Sequence, residues 1–185
     1  AWLAREDRDR PPIGSIRADT GNIHHSQKDI NTSFMEYYAT LYTAPHSPDT
    51  IEIDHFLQDS HLPRLSPAQV EELDEPITLA EINYAIKQLA GGKSPGTDGL
   101  PTEYYSQYMD ILAPRLLTVY NEAWEKGSLP TTMCEALIVV LHKKGRDPLD
   151  VRSYRPLSLL NSDYKILGKI LETRISRHIQ SLIHP

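Results

Sequence analysis

Two cations in the C-terminal half of the sequence have the residue types and setting to bind phosphate. Lys143 and Arg155 flank the segment "KGRDPLDVRSY", in which Gly145 marks a turn between two predicted strands. A lysine ammonium is a compact charge, whereas an arginine guanidinium offers a fork of donors to one phosphate group. A cationic strand–turn–strand can therefore fold over phosphates. The residues alone leave open the alternative of two solvated cations at a hairpin end.

A second pair of cations, Lys165 and Lys169, lies four residues apart and shares one face of a predicted helix. Such a pair can follow a phosphate backbone, each contact adding salt-dependent affinity. From residue 141 onward the chain has nine Lys and Arg against four Asp and Glu, a net charge of +5, whereas the remainder carries −11. This asymmetry indicates either one binding face on an acidic body or a solvated basic helix face.

The glycine-rich stretch "GGKSPGTDGLP" at 91–101 is a third candidate for phosphate binding. A P-loop needs a glycine five positions before Gly92, but that position is Lys87, within a predicted helix. The ATP-binding interpretation therefore fails. Lys93 and Ser94 can still contact a phosphate of a nucleic acid. Asp98 is favoured instead as the residue that stabilises the turn through bonds to backbone amides.

Other catalytic chemistry has no complete signature. The eight histidines form no H-E-x-x-H motif, the single cysteine, Cys134, excludes a thiolate zinc site, and G-x-S-x-G is absent. No pair of neighbouring aspartates stands on a hairpin-like turn, as a two-metal nucleotidyl-transfer site needs. We therefore predict no catalytic residue, no metal ligand and no cofactor in this chain. The single cysteine also favours a reducing, intracellular compartment, cytoplasm or nucleus.

Hydrophobic periodicity predicts an α+β fold dominated by helices, with a small antiparallel sheet around 136–158. The longest purely apolar run, Ala136–Leu141, is far shorter than a transmembrane helix, so no membrane contact is expected. Cap residues and periodicity predict six helices. The first three cover about 28–42, start after Ser66, and run from the Thr78–Glu81 capping box to a stop at Gly91. The other three start at Pro101, run from Pro114 to Gly127, and run from Ser162 to the end.

The last predicted helix places its apolar side chains, including Ile175 and Ile179, on a buried side. Its cations, Arg174 among them, are predicted on the opposite, polar side. By composition the chain divides into a polar arm or linker at 1–21, a helical N-terminal extension at 22–76 and a third part at 77–185.

Three stretches together resemble one family. They are "INTSFMEYYATLYTA", "PITLAEINYAIKQLAGGKSPGTDGLPTEYY" and "WEKGSLPTTMCEALIVVLHKKGRDPLDVRSYRPLSLLNSDYKILGKILETRI". Their order and spacing are similar to the N-terminal part of the reverse transcriptase of non-LTR (LINE-type) retrotransposons. The composite K-x-G-x-D, Y-R-P-x-S-L-L-N and D-Y-K-I-x-x-K-I is the most specific. The resemblance covers about 22–185 and implies that 77–185 is the fingers portion of a right-hand polymerase, truncated before the palm.

The resemblance also implies a role for each candidate cation. Lys143 and Arg155 match the fingers residues that contact the triphosphate of the incoming deoxynucleotide. Lys144 is a neighbour at a position where family members often have another residue. The implied nucleic-acid contacts are Lys93, Ser94, Lys165 and Lys169, with a solvated polar face the alternative for the last two.

The implied partners are an RNA template, a DNA primer, a dNTP, and the palm and thumb of the parent polymerase. Mg²⁺ is the expected cofactor of that full-length enzyme. Because the family's catalytic carboxylates lie downstream in the palm, we expect this chain alone to be inactive. The alternatives are a non-catalytic RNA-binding module derived from such an element, or a helical protein-interaction module whose basic helix docks an acidic partner.

Overall fold

The computed structural model describes residues 12–18, 21–43, 49–58 and 63–183. Over these ranges the chain is α+β and dominated by helices, which confirms the predicted fold class. The α-helices are α1 (Gln27–Tyr42), α2 (Thr50–Gln58), α3 (Pro67–Asp74), α4 (Leu79–Gln88), α5 (Thr102–Gln107), α6 (Met109–Lys126), α7 (Ser162–Ser176) and α8 (Ile179–Leu182). Short 3₁₀ helices are formed by Thr131–Cys134 and Val151–Ser153.

The described strands form two small two-stranded sheets. In the first, β1 (Ile16–Arg17) pairs antiparallel with β2 (Ile23–His24). In the second, β3 (Ala136–His142) pairs with β4 (Tyr154–Leu160), which confirms the sheet predicted around 136–158. Apolar, β-branched "ALIVVLH" favours this extended conformation.

The chain divides into two compact units, one containing the described residues up to 58 together with 138–157, the other 63–137 and 158–183. The core of the first unit is centred on α1, whose N-cap Ser26 accepts from the backbone N–H of Asp29. Its aromatic stripe packs inward, and the Phe34 ring meets Tyr154 edge-on at 5.1 Å. The buried members of this core are Ile16, Ile30, Phe34, Tyr38, Val151 and Tyr154.

The second unit packs α4, α6 and α7 around one apolar core. The predicted capping box at the start of α4 is confirmed, because Thr78 Oγ1 accepts from the Glu81 amide and the Glu81 carboxylate accepts from the Thr78 amide. Tyr120 is fully buried, and its hydroxyl donates to the carbonyl of Asp163 at 2.7 Å. The largest apolar side chains of this core include Ile82, Ile86, Tyr105, Ile166 and Ile170.

The predicted stop of α4 at Gly91 is wrong. The helix ends at Gln88 with Leu89 as its C-cap, and the left-handed glycine is Gly92, at φ 71°. The Gly92 N–H donates to the Glu103 carboxylate, so the turn is fixed by the start of α5 rather than by the end of α4. This bond is also the main cause of a lowered Glu103 pKa.

The helix boundaries around the two prolines differ from the prediction. Pro101 is the N-cap of α5, but the predicted helix is interrupted at Tyr108, which ends α5 and precedes α6. Pro114 lies inside α6 instead of at its start. The missing amide of Pro114 affects only a bond toward the first turn, so the helix continues through it. The predicted end of α6 is confirmed, because Gly127 adopts the left-handed conformation at φ 65°.

The C-terminal helix also departs from its prediction. Its N-cap is Asn161, and Ser162 is its first residue, with a buried hydroxyl that donates to the carbonyl of Leu100. The helix stops at Ser176, with α8 as a separate turn, and Ile175 is 47% exposed. No helix in the described part of the chain is long and apolar enough to cross a membrane.

Candidate functional site

The loop end of the β3–β4 hairpin brings two of the predicted phosphate ligands together. The backbone N–H of Lys143 donates to the carbonyl of Ser153 at 2.7 Å across the hairpin. Lys143 therefore stands opposite a residue only two positions before Arg155. The loop starts with a turn in which the Arg146 amide bonds to the Lys143 carbonyl and Gly145 has φ 79°. Lys143 and Arg155 thus lie at the same end of the hairpin.

Side chains hold the hairpin loop in one conformation. Asp147 and Asp150 each accept from a backbone amide two residues ahead, at 2.9 Å. Arg17 donates to Asp147 at 3.1 Å. The Leu149 amide, followed by Arg17, lowers the pKa of Asp147, so that carboxylate stays ionised and committed to the loop. The two acids of the loop are therefore used within the first unit, where Asp150 also pairs with Arg152 at 3.4 Å.

The cations of the hairpin end differ in what they bind. The Lys143 ammonium donates to the carbonyl of Arg152 at 2.7 Å. Lys144 and Arg155 are exposed, and neither makes an ion pair or side-chain hydrogen bond within the described ranges. Arg146 is exposed as well, so three cations at the hairpin end have no ion pair within the described ranges, while Lys143 is bound to a neutral carbonyl and Arg152 is paired with Asp150 at 3.4 Å.

The glycine-rich loop at 91–101 belongs to the second unit and uses its polar groups internally. Asp98 Oδ1 accepts from the Leu100 amide at 3.0 Å, which confirms the turn-stabilising role predicted for it. Lys165 Nζ donates to the carbonyl of Ser94 at 3.3 Å, so these two predicted nucleic-acid ligands contact each other. Lys93 is exposed.

Lys169 is partly committed as well. Its ammonium pairs with Glu172 of the same helix at 2.7 Å, with 31% of the Lys169 side chain exposed. This bond raises the pKa of Lys169 and lowers that of Glu172. Lys165 and Lys169 therefore do not form a continuous free cationic face on α7.

Arg174 was predicted on the polar side of the last helix, and that prediction is wrong. Only 5% of its side chain is exposed, and it forms a two-pronged ion pair with Glu81, Nε to Oε1 at 2.6 Å and Nη2 to Oε2 at 2.9 Å. Its remaining donors bond to the carbonyls of Leu73, Glu75 and Pro76. The burial of Arg174 was visible in the helical spacing, because Arg174 follows Ile166 and Ile170 at intervals of four residues and so shares their buried face.

The Arg174 guanidinium holds the pKa of the Glu81 carboxyl at about 2. Burial opposes this shift, and the Thr78 amide and hydroxyl add to it. Glu81 thus serves both the cap of α4 and the attachment of α7. This pair is structural, since every donor of the guanidinium is used within the unit.

The part of the chain that the structure describes contains no group of three or more His, Cys, Asp or Glu that could hold a metal ion. A cluster of carboxylates that could bind Mg²⁺ is therefore not found among the described residues. Of the predicted phosphate and nucleic-acid ligands, Lys143, Lys144 and Arg155 belong to the first unit. Lys93, Ser94, Lys165 and Lys169 belong to the second.

Comparison with known proteins shows the class to which the chain belongs. No protein-family model matches it. It is 35% identical over 184 residues to the transposon TX1 uncharacterized 149 kDa protein of Xenopus laevis, covering 99% of this chain and 14% of that protein. It is 35% identical over 172 residues to the RNA-directed DNA polymerase from mobile element jockey of Drosophila funebris, covering 91% of this chain and 18% of the relative. The Drosophila melanogaster jockey polymerase is 36% identical over 149 residues, 80% of this chain and 15% of the relative.

These relatives are mobile-element proteins, and two of them are named as RNA-directed DNA polymerases. Over the aligned residues the chain belongs to the reverse transcriptases of non-LTR retrotransposons, which confirms the family resemblance. It spans less than a fifth of the length of each of these relatives. The activity, substrates and partners of the whole relatives therefore do not transfer to it on similarity alone.

Proposed function

We propose that the chain is the fingers segment of an RNA-directed DNA polymerase and that its β3–β4 hairpin end contacts the triphosphate of an incoming dNTP. The observation that carries this proposal is the placement of Lys143 and Arg155 at one end of the hairpin, beside the exposed Lys144. Phosphoryl transfer builds charge on the leaving pyrophosphate, and fixed cations stabilise that charge. The catalytic carboxylates would come from the palm of the parent enzyme, with its Mg²⁺.

Each cation contributes differently in this proposal. Arg155 offers a fork of donors to two phosphate oxygens, and Lys144 adds a mobile point charge. Lys143 leaves the Arg152 carbonyl, at 2.7 Å in the free chain, because a phosphate oxygen is a charged and therefore stronger acceptor. Binding of the triphosphate is thus coupled to the release of one internal hydrogen bond.

The second unit supplies contacts to the RNA template and the DNA primer in this proposal. Lys93 is the main backbone contact, since its side chain is exposed and makes no ion pair among the described residues. Ser94 and Lys165 shape the loop through their mutual bond, and Lys169 contributes a charge shared with Glu172.

The palm and thumb would cover exposed apolar residues of β3, such as Ile138, which is 55% exposed.

The triphosphate contact is tested by titrating the isotope-labelled chain with a dNTP and following its backbone amides by NMR. The same deoxynucleoside without phosphates is the ligand control. We expect shifts at 143–155 and about tenfold weaker binding for Arg155→Ala, because a hydrogen bond to a charged group contributes about 1.5–3 kcal/mol. Lys28→Ala, which removes an exposed lysine of α1 in the same unit, should bind like the parent chain. If Arg155→Ala binds the dNTP with the same affinity as the parent chain, the proposed triphosphate contact is contradicted.

The RNA contact is tested separately, by fluorescence anisotropy with a single-stranded RNA over a range of salt concentrations. Lys93→Ala should weaken binding and reduce the salt slope by about one phosphate contact. Lys126→Ala is the matched control, because it removes an exposed lysine of the same unit that pairs with Glu122. RNA binding without any triphosphate binding would favour the non-catalytic RNA-binding module.

A further inference from the structure

Asn161, the N-cap of α7, does not cap its own helix with its side chain. It is 3% exposed, and its amide group joins three segments of the second unit. Its Oδ1 accepts from the Thr97 hydroxyl and from the Asp98 amide, each at 3.3 Å. Its Nδ2 donates to the carbonyl of Thr132 at 3.0 Å. An N-cap asparagine ordinarily accepts from the first turn of its helix, so here that contribution is directed to a loop instead.

The backbone of the loop lies directly on Asn161. A Cβ added at Gly96 would stand 2.5 Å from the backbone nitrogen of Asn161 and 2.7 Å from the carbonyl carbon of Leu160. These are backbone atoms, so no rotamer change relieves the clash, and only glycine fits. The Ser162 hydroxyl adds a bond to the carbonyl of Leu100. The loop is therefore held at Gly96, Asp98 and Leu100 by the first residues of α7.

We propose that Asn161 is a positioning residue that latches the loop at 94–100 and so fixes where Lys93 meets RNA. This inference rests on the RNA contact proposed above. An asparagine amide donates and accepts at once, which the site requires. Releasing the loop leaves the buried Oδ1 of Asn161 without its two donors, so the latched state is favoured.

The test compares three single variants in RNA affinity, melting temperature and hydrogen exchange at the Asp98 amide. Asn161→Ala removes all three bonds and should weaken RNA binding about as much as Lys93→Ala. Asn161→Asp keeps the Oδ1 acceptor toward the loop but sets a buried carboxylate oxygen against the Thr132 carbonyl, so the melting temperature should fall while RNA affinity stays within about twofold of the parent chain.

Asn121→Ala is the matched control. Asn121 makes a similar pair of bonds in the same unit, accepting from the Ile77 amide at 2.9 Å and donating to the Ile77 carbonyl at 3.0 Å. Its loss should lower the melting temperature without changing RNA affinity or exchange at Asp98. Gly96→Ala should mimic Asn161→Ala, and the double variant should bind RNA no worse than either single variant, because both release the same loop.

The outcomes separate this inference from the proposal beneath it. Equal RNA affinity for Asn161→Ala and Asn121→Ala, when Lys93→Ala weakens binding, would overturn the positioning role. If Lys93→Ala has no effect, the RNA contact fails first and the positioning role fails with it. If Asn161→Ala does not fold, Asn161→Asp and Gly96→Ala still decide, since strong RNA binding by a folded Gly96→Ala chain contradicts the latch.

Discussion

The hairpin end of the first unit and helix α7 of the second carry similar numbers of cations and use them in opposite ways. At the hairpin end, Lys144 and Arg155 are exposed without ion pairs in the described ranges. On α7, Lys165 bonds to a loop carbonyl and Arg174 is buried against Glu81. Residue type and spacing suggested phosphate binding in both regions. The difference is that the hairpin acids Asp147 and Asp150 are occupied by backbone amides, Arg17 and Arg152, which leaves Lys144 and Arg155 unpaired among the described residues, whereas on α7 the cations themselves hold the structure.

This contrast gives a physical rule for the chain. A cation that satisfies buried carbonyls or a buried carboxylate contributes to stability and is unavailable to a ligand. A cation with a water-facing side chain contributes little to stability and is available. Stability and binding should therefore respond to different variants.

The largest expected effect is that of Arg174→Ala. The variant leaves Glu81 and three backbone carbonyls without their donor, and removing one partner of a buried pair costs about 3–5 kcal/mol. Arg177→Ala is the control, because Arg177 pairs with Glu72 at 3.1 Å with more than half of its side chain exposed. Urea unfolding should separate the two. Similar free energies of unfolding for both variants would refute the assignment of Arg174 as structural.

A smaller effect should appear in the pH dependence of stability. The folded-state pKa of Glu81, about 2, lies below its ordinary 4.5. Its contribution is therefore present above about pH 4.5 and is lost as the pH falls toward 2. Unfolding midpoints measured across this window should fall for the parent chain, and the fall should be shallower for Glu81→Gln. An identical acid slope in the two proteins would mean that other carboxyl groups dominate.

The smallest effect on stability should come from the hairpin end. Lys144→Ala and Arg155→Ala remove exposed charges without ion pairs among the described residues, so the free energy of unfolding should change by less than about 0.5 kcal/mol. The same urea experiment checks this. A loss comparable to that of Arg174→Ala would show that these cations are structural and would erase the contrast between the regions.

The features predicted correctly from the sequence are those that neighbouring residues in the chain determine. The capping box at Thr78, the glycine stop at Gly127 and the extended run Ala136–His142 each follow from neighbours in the chain. The end of α4 was missed because Glu103, eleven residues after Gly92, fixes that turn. The burial of Arg174 was missed although its spacing after Ile166 and Ile170 indicated it, but its partner Glu81, ninety-three residues away, could not be identified from that spacing. Pairing the two needs the packing of α4 on α7, which no local pattern contains.

Among the candidate site residues, the sequence predicted that Lys143 and Arg155 lie at one end of a hairpin but did not distinguish between these two. Lys143 and Arg155 were equivalent as phosphate ligands, yet Lys143 is bound to the Arg152 carbonyl and Arg155 is exposed. Asn161 gave no signal of its role, because its partners come from segments twenty-nine and sixty-four residues away.

The most direct test of the central claim is the affinity of Arg155 variants for a dNTP, measured by NMR at the amides of 143–155. Arg155→Lys keeps the charge and loses the fork of donors, so it should bind with an affinity between those of the parent chain and Arg155→Ala. We predict this order together with unchanged stability in all three proteins. Equal dNTP affinity in all three, or shifts confined to residues outside the hairpin end, would contradict the account.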